Sequence, residues 1–315
     1  MNTEKTILIT GAAGYIGLQL GNRLTEQGLK VIGTDIRDTD QALFPLLIMD
    51  ICSPDLAKTM TECGITHVIH LASIVEPSRD REHDYRVDVL GTRNVLEACT
   101  ISHVRHLTVT SSGAAYGYYA DNPEWISESD ALRGNKEFSY SDHKRQVEEM
   151  LASYRQCQPQ LKQLILRPGT VLGATTSNMI TRLFEGRALL AVQGSRSPFV
   201  FIWDQDLVRT IEIGVTESKT GIFNMAGDGA LTIYNLGDKL NKPVMCLAPW
   251  LIKSLLWLGQ TLRLTPYGPE QINFLRYRPV LSNKALKETF GYTPEKTSAE
   301  TFDFYLRHQK QRDAT

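Results

Sequence analysis

The chain has 315 residues, with 34 Lys plus Arg against 35 Asp plus Glu. That length buries a substantial core, and the balanced charge supplies no global basic field for nucleic acid or an anionic membrane. Five cysteines (Cys52, Cys63, Cys99, Cys157 and Cys246), odd in number and without a Cys-x-x-Cys pair, argue against a disulfide framework or a zinc site and fit a reducing cytoplasm. No metal is expected. Residues 1–5 run straight into a strand-like segment with no long apolar stretch, which argues against a signal peptide.

In chain order, Thr6 to Thr10 reads as a strand, then a glycine turn and a helix from Tyr15 to Gln27. Strands follow at Lys30 to Asp35 and Leu46 to Met49, a helix from near Pro54, and a strand at Thr66 to Leu71. A helix from Tyr85 to Thr100 leads to the strand His106 to Thr110, and a helix from Tyr140 to Gln156 precedes the strand Gln163 to Arg167. Repeated strand–helix–strand order predicts an α/β fold with a parallel sheet covered on both faces, because parallel neighbours need crossover helices. Beyond Pro168 the alternation breaks up. Short strands (Phe199 to Ile202, Gly221 to Asn224) mix with helices at Asp204 to Thr216, Tyr234 to Asn241, Trp250 to Leu264, Asn283 to Phe290 and Ser298 to His308. This predicts a dinucleotide-type domain over 1–167 and a smaller mixed α/β substrate lobe over 168–315, with some chain crossing between them. The Trp250–Leu264 stretch is too short for the ~20 residues of a membrane span. It reads as a buried helix with Leu251, Leu255, Leu258 and Leu262 on one side, or as a wall over an apolar substrate.

Gly11-Ala12-Ala13-Gly14-Tyr15-Ile16-Gly17 follows a strand and opens a helix, the context of a Rossmann-type phosphate turn. Gly11 permits the tight turn, Gly14 lets the backbone approach a pyrophosphate, and Gly17 lets the helix pack on the strand. Amides at the helix start, around Tyr15 and Ile16, and the helix dipole favour the phosphate charge. Asp35 ends the second strand about twenty residues further on, where a carboxylate accepts from both ribose hydroxyls and repels a 2′-phosphate. NAD is therefore expected over NADP. Arg37, just past Ile36, is the counter-signal.

Tyr140 and Lys144 stand four apart and share a helix face. An ammonium there favours a phenolate, so the phenol can exchange a proton with a hydroxyl on the carbon that gains or loses hydride. The pair alone usually marks a solvated face. Thr110-Ser111-Ser112-Gly113-Ala114-Ala115-Tyr116-Gly117 supplies the company: it ends a strand, and Ser112 can hold a substrate oxygen against Tyr140.

These segments make the chain resemble the extended short-chain dehydrogenase/reductase family, the NAD-dependent epimerase/dehydratase family. Further marks are Asp50-Ile51, His70-Leu71-Ala72-Ser73, Gly91-Thr92-Arg93-Asn94, Arg167-Pro168-Gly169, Phe199 to Leu207 and Gly221-Ile222-Phe223-Asn224. The resemblance implies Ser112, Tyr140 and Lys144 as a catalytic trio, with Lys144 also on the nicotinamide ribose. It implies adenine contacts from Asp50 and Ile51, a stretch beside the cofactor at Leu71, Ala72 and Ser73, a further cofactor contact at Thr110, and an approach to the nicotinamide end by Pro168 to Thr170. It also implies a homodimer through the Tyr85–Thr100 and Tyr140–Gln156 helices, although Val89, Val95 and Leu96 fit the sheet's own core equally well.

Two departures matter. Asp88 stands where many relatives carry Asn; an ionised Asp only accepts, so a network built on the amide donor must be rearranged, or Asp88 must be protonated or paired. Nucleotide-sugar members often carry Arg-Asp before the Phe-Val strand to clamp a diphosphate; here Ser197-Pro198 occupy those places, with Arg196 one step earlier and Arg263, Arg276 and Arg278 further on. Trp203 and the Trp250/Trp257 helix are alternative walls of an apolar pocket. Gly113 and Ala114 replace the Asp-Glu pair of dehydratase relatives, leaving room for substrate but supplying no acid for eliminating water. The readings carried forward are a UDP-glucose 4-epimerase-like enzyme, a hydroxysteroid-type dehydrogenase or reductase of an apolar small molecule, and a non-catalytic dinucleotide-binding module.

Overall fold

The computed structural model describes residues 5–76, 78, 80–262 and 268–313. Residues 1–4, Arg263 and Leu264 lie outside these, so nothing is said of Arg263 or of the end of the expected apolar helix. The strands are β1 (Thr6–Thr10), β2 (Lys30–Asp35), β3 (Leu46–Ile48), β4 (His67–His70), β5 (His106–Thr110), β6 (Lys162–Pro168), β7 (Thr170–Leu172), β8 (Leu189–Val192), β9 (Phe201–Trp203), β10 (Gly221–Met225) and β11 (Val244–Leu247). The α-helices are α1 (Tyr15–Glu26), α2 (Leu56–Glu62), α3 (Arg81–Tyr85), α4 (Thr92–Ile101), α5 (Ser139–Cys157), α6 (Met179–Arg182), α7 (Asp204–Thr216), α8 (Ile233–Leu240), α9 (Pro249–Thr261), α10 (Ile272–Arg276) and α11 (Ser298–Asp313).

Two compact units divide the chain: residues 1–111, 143–167 and 207–223 form one, and residues 112–142, 168–206 and 224–315 the other. In the first, the sheet order is β10-β6-β5-β4-β1-β2-β3, with β3, β2, β1, β4, β5 and β6 pairing in parallel. Its central strands are apolar on both faces, as a doubly covered parallel sheet requires. Leu8, Val68, Leu107 and Ile165 pack with Val95, Leu96, Val147 and Leu151 from the covering helices. Val95 and Leu96 thus pack in the sheet's own core, and Val89 is buried as well. The second unit holds the two-stranded pairs β8–β11 and β7–β9 and a core of Phe184, Phe199, Phe201 and Phe302, with Phe199 stacked on Phe201 at 5.8 Å.

The expected helix at Tyr85 to Thr100 starts earlier and is interrupted by a π-turn over Arg86–Gly91 between α3 and α4. The segment ending at Phe290 is likewise a π-turn, Leu286–Phe290. The apolar stripe of α9 is not buried: Leu255, Leu258 and Leu262 are exposed, with Trp250 and Trp257, and Ile252 faces the core instead, beside Leu256 and Ile272. α9 is apolar around most of its circumference, so periodicity does not select the face that packs. Among the described residues no helix is long and apolar enough to cross a membrane, and no cluster of His, Cys, Asp or Glu could hold a metal ion.

Three imidazoles are built into β4 and β5. Burial holds His67 and His70 down at about 3, with Lys5 adding to the effect at His67 and Lys144 at His70, and it lowers His106 as well. The native state keeps these groups neutral where the unfolded chain would protonate them. Their contribution to stability is complete above the ordinary histidine range near 6.5 and is lost progressively as pH falls towards 3. Urea midpoints should therefore fall on acidification from neutrality to about pH 5, before most carboxylates titrate, and His67→Asn should flatten that slope. A midpoint constant over this range would show that the native imidazoles protonate freely.

Candidate active site

The phosphate turn is set by close backbone approach. Gly11 has φ +71°, and a Cβ there would stand 2.8 Å from the Ala72 nitrogen, so the segment after β4 passes directly over the turn. A Cβ on Gly17 would stand 2.2 Å from the Gly11 carbonyl oxygen, a contact that no side chain tolerates. Gly14 caps α1 without a side-chain hydrogen bond, and the nearest atoms to a Cβ built on it are the Gly11 oxygen at 3.0 Å and an Arg37 nitrogen at 3.9 Å. A helix start capped by glycine, beside a carboxylate at the end of β2, is a donor set that fits a dinucleotide.

That carboxylate belongs to Asp35, which is buried and accepts from the Ala13 N–H at 3.1 Å and the Arg37 N–H at 3.0 Å. The Arg37 guanidinium reaches the same carboxylate at 3.4 Å, so the counter-signal is drawn onto Asp35. A carboxylate offers about four lone-pair sites, which leaves capacity for a ribose hydroxyl. Ile36 is exposed. Asp50 accepts from the Cys52 N–H at 2.8 Å and stands 4.0 Å from Arg86, while the Ile51 side chain is packed in the core beside Gly91. Its carbonyl accepts from Asn94 at 2.6 Å.

Helix α5 carries Tyr140 and Lys144 one turn apart. Within the first unit, Lys144 donates to the Thr110 carbonyl at 3.3 Å. One turn further on, Glu148 forms a buried bidentate pair with Arg167 of β6, both contacts at 2.7 Å, which fixes the helix against the sheet. Within the second unit, the Ser141 hydroxyl donates to the Ala114 carbonyl at 2.7 Å. Tyr140 packs in the cluster that contains Ala114, Tyr118, Phe138 and Phe274. Ser112 is buried and its oxygen accepts from the Ala114 N–H at 3.1 Å, a bond that does not use the hydroxyl hydrogen. The space beside Gly113 is taken by Leu281, 2.9 Å from a Cβ built there. Thr170 donates its N–H to the Val200 carbonyl, and Gly169 after Pro168 donates to Met225.

A family model for the NAD-dependent epimerase/dehydratase family matches residues 7–225. The chain belongs to that family. NAD is the cofactor that the family's name carries, and the glycine turn with Asp35 is built to suit it. Among curated members, the chain is 33% identical over 117 residues to a human sterol-4-alpha-carboxylate 3-dehydrogenase (decarboxylating), covering 36% of this chain and 30% of the relative. It is 31% identical over 161 residues to a UDP-glucose 4-epimerase of Mycolicibacterium smegmatis, covering 47% and 50%. The chain thus spans half or less of the length of these relatives. The fold matches a Thermus thermophilus UDP-glucose 4-epimerase in complex with NAD at TM-score 0.74 and 22% identity, over 97% of this chain and 99% of that one.

Against this family, Asp88 proves to be paired. Its carboxylate accepts from the Ser73 hydroxyl at 2.9 Å, the Ile74 N–H at 2.8 Å and His143 Nδ1 at 3.1 Å. Burial pushes its pKa up, but the His143 bond, the Lys144 charge and the Ile74 and Ser73 bonds outweigh that and hold it below the ordinary carboxylate value. Sequence reasoning missed His143, although an acid in the Asn position and a histidine between Tyr140 and Lys144 were both visible as complementary groups.

The later arginines are not arranged as a free clamp. Arg278 donates to the Ser197 carbonyl at 3.2 Å and the Ser197 hydroxyl at 3.0 Å and lies 3.9 Å over the Phe199 ring. Burial lowers it to about 9, partly offset by Tyr118. Arg276 lies over Tyr277, and Arg196 is exposed. Trp203 is covered by the Lys296 ammonium at 3.7 Å and by the edge of Phe304.

Gly17→Ala should abolish NAD binding measured by calorimetry, because the methyl cannot coexist with the turn; binding within about twofold of the parent would show that the turn has a different conformation. Asp35→Ala should raise the Michaelis constant for NAD much more than that for NADP. Equal rises would remove Asp35 from the ribose.

Proposed function

We propose that the protein is an NAD-dependent enzyme acting at a carbon that bears a secondary hydroxyl or ketone, with Ser112, Tyr140 and Lys144 as its catalytic trio. The observations that carry this reading lie one in each unit: Lys144 of α5 bonds Thr110 in the first, and Ser141 of α5 bonds Ala114 in the second. NAD, when bound, supplies the hydride acceptor and donor. In this reading Gly11, Gly14, Tyr15, Ile16 and Gly17 hold the pyrophosphate, and Asp35 with Ile36 and Arg37 borders the adenosine ribose. Asp50 and Ile51 border adenine, and Leu71, Ala72, Ser73, Pro168 and Thr170 border the nicotinamide half. Ser112 donates its hydroxyl hydrogen to the substrate oxygen, Tyr140 exchanges a proton with that oxygen, and the Lys144 cation stabilises the negative charge left on the phenol oxygen. A cytoplasmic homodimer belongs to the same proposal, the compartment resting on the cysteine usage and the dimer on the resemblance.

For the substrate, likeness to UDP-glucose 4-epimerases supports a nucleotide sugar. The side chains favour an apolar alcohol or ketone: Tyr140 packs against Tyr118, Phe138 and Phe274, and Arg278 is engaged by Ser197 and Phe199. The Arg278 Nη1 bonds to Ser197 compete with any grip on a diphosphate, which would have to use the remaining N–H groups. We therefore favour a net dehydrogenase or reductase over an epimerase.

Purified protein offered hydroxysteroids, simple ketones and UDP-glucose should change the absorbance of reduced nicotinamide with an apolar substrate. Epimerised sugar without net cofactor turnover would reverse the substrate assignment. Tyr140→Phe should lower kcat by about 10²–10⁴-fold with little change in NAD affinity. Silence with every substrate, with cofactor binding indifferent to Tyr140→Phe, would leave a binding module rather than an enzyme.

A further inference from the structure

A chain of buried polar groups runs through the first unit, and its hydrogen-bond directions are fixed by chemistry. The Thr92 hydroxyl lies 2.6 Å from the Asp88 backbone carbonyl, which can only accept, so Thr92 donates. The Thr92 oxygen is 3.0 Å from His70 Nε2 and must accept there, so Nε2 carries the hydrogen. His70 is neutral in the fold, as derived above, so its Nδ1 is bare and accepts from the Thr10 hydroxyl at 2.7 Å. The Thr10 oxygen in turn accepts from the Ala72 N–H at 3.4 Å. Every member is satisfied, and the direction is single.

At the other end the Asp88 side chain is ionised and only accepts. Its oxygens take the Ser73 hydroxyl, the Ile74 N–H and His143 Nδ1, so His143 carries a hydrogen on Nδ1, where His70 has none. The His143 ring lies edge-on to Tyr85 at 5.6 Å, and the next residue is Lys144. Asp88 sits in the π-turn Arg86–Gly91, a feature frequent where a helix is re-aimed at a functional site.

We propose that Asp88 and His143 are positioning residues of the cofactor site: the Asp88 carboxylate clamps the Ser73–Ile74 segment to α5 through the Nδ1–H of His143, and so sets Lys144 against Thr110 before NAD arrives. This rests on the NAD-binding reading above. The Thr10–His70–Thr92 chain extends the clamp to the end of β1, where the glycine turn begins. Ser73 and Lys144, drawn from separate stretches of sequence, are thereby held through the Asp88 carboxylate and the His143 imidazole, and the turn is joined to them through His70 and the Asp88 backbone carbonyl.

The test uses the whole chain with ¹⁵N-labelled histidine, and NAD as the probe. The parent should show a hydrogen on His143 Nδ1 and His70 as the Nε2–H tautomer. In Asp88→Asn the amide N–H faces His143, which should switch to Nε2–H, and NAD affinity should fall by about tenfold or more while the thermal midpoint keeps a single cooperative transition. His143→Asn, whose amide N–H stands close to where Nδ1–H stood, should bind NAD within about threefold of the parent; His143→Leu should match Asp88→Asn. An unchanged tautomer and affinity in Asp88→Asn would overturn the proposal, as would equal loss in His143→Asn and His143→Leu, which would reduce the imidazole to packing. A parent chain that does not bind NAD would instead overturn the cofactor reading, and the positioning role would fall with it.

Discussion

The close approach of three backbone segments at the end of β1 is the constraint on which the rest of the first unit depends. The Gly11 carbonyl touches the place where Gly17 has no side chain, and Ala72 passes over Gly11. Because these atoms are backbone, no rotamer can relieve a clash, and the sequence must supply glycine. The benefit is a helix start turned towards the end of the sheet, with the Asp35 carboxylate bonded to the turn by the Ala13 N–H. The amides at the helix start and the Asp35 carboxylate are thus one hydrogen-bonded object.

A second tier of buried polar bonds fixes what surrounds the turn. Glu148 with Arg167 holds α5 on β6, and Asp88 with His143 holds the same helix to the segment after β4. Buried charged groups of this kind are weak arguments for stability, because their desolvation offsets the energy of the bonds they make. Their value here lies in register. Lys144 is useful only if α5 neither slides nor rotates, and a helix gripped on both sides of Lys144 by bidentate or triply bonded carboxylates can do neither.

The second unit contributes a different kind of surface. Its strands are short, and Phe199, Phe201 and Phe302 do most of the packing. The aromatic group of Tyr118, Phe138 and Phe274 presses on Tyr140. Arg278, a residue type suited to diphosphates, lies on Phe199 and bonds Ser197 where relatives often carry arginine. Family membership therefore narrows the chemistry, and the aromatic packing around one phenol and the engagement of one guanidinium are the features on which the proposed substrate rests.

The sequence by itself determined the parallel sheet, the phosphate turn, Asp35 at the end of β2 and the helix shared by Tyr140 and Lys144, because each depends on local periodicity or on a glycine that no other residue can replace. Its reading went astray where locality does not decide. α9 is apolar on most sides, so only its neighbours chose Ile252 over Leu255 and Leu258 as the packed face. Leu281 fills the space beside Gly113 from a distant part of the chain. Whether the aspartate at 88 would be protonated, rearranged or paired was open, since its partner His143 arrives on a helix fifty-five residues later. Tertiary structure alone could bring that imidazole within hydrogen-bond reach, and with it set a hydrogen on its Nδ1 where His70 has none.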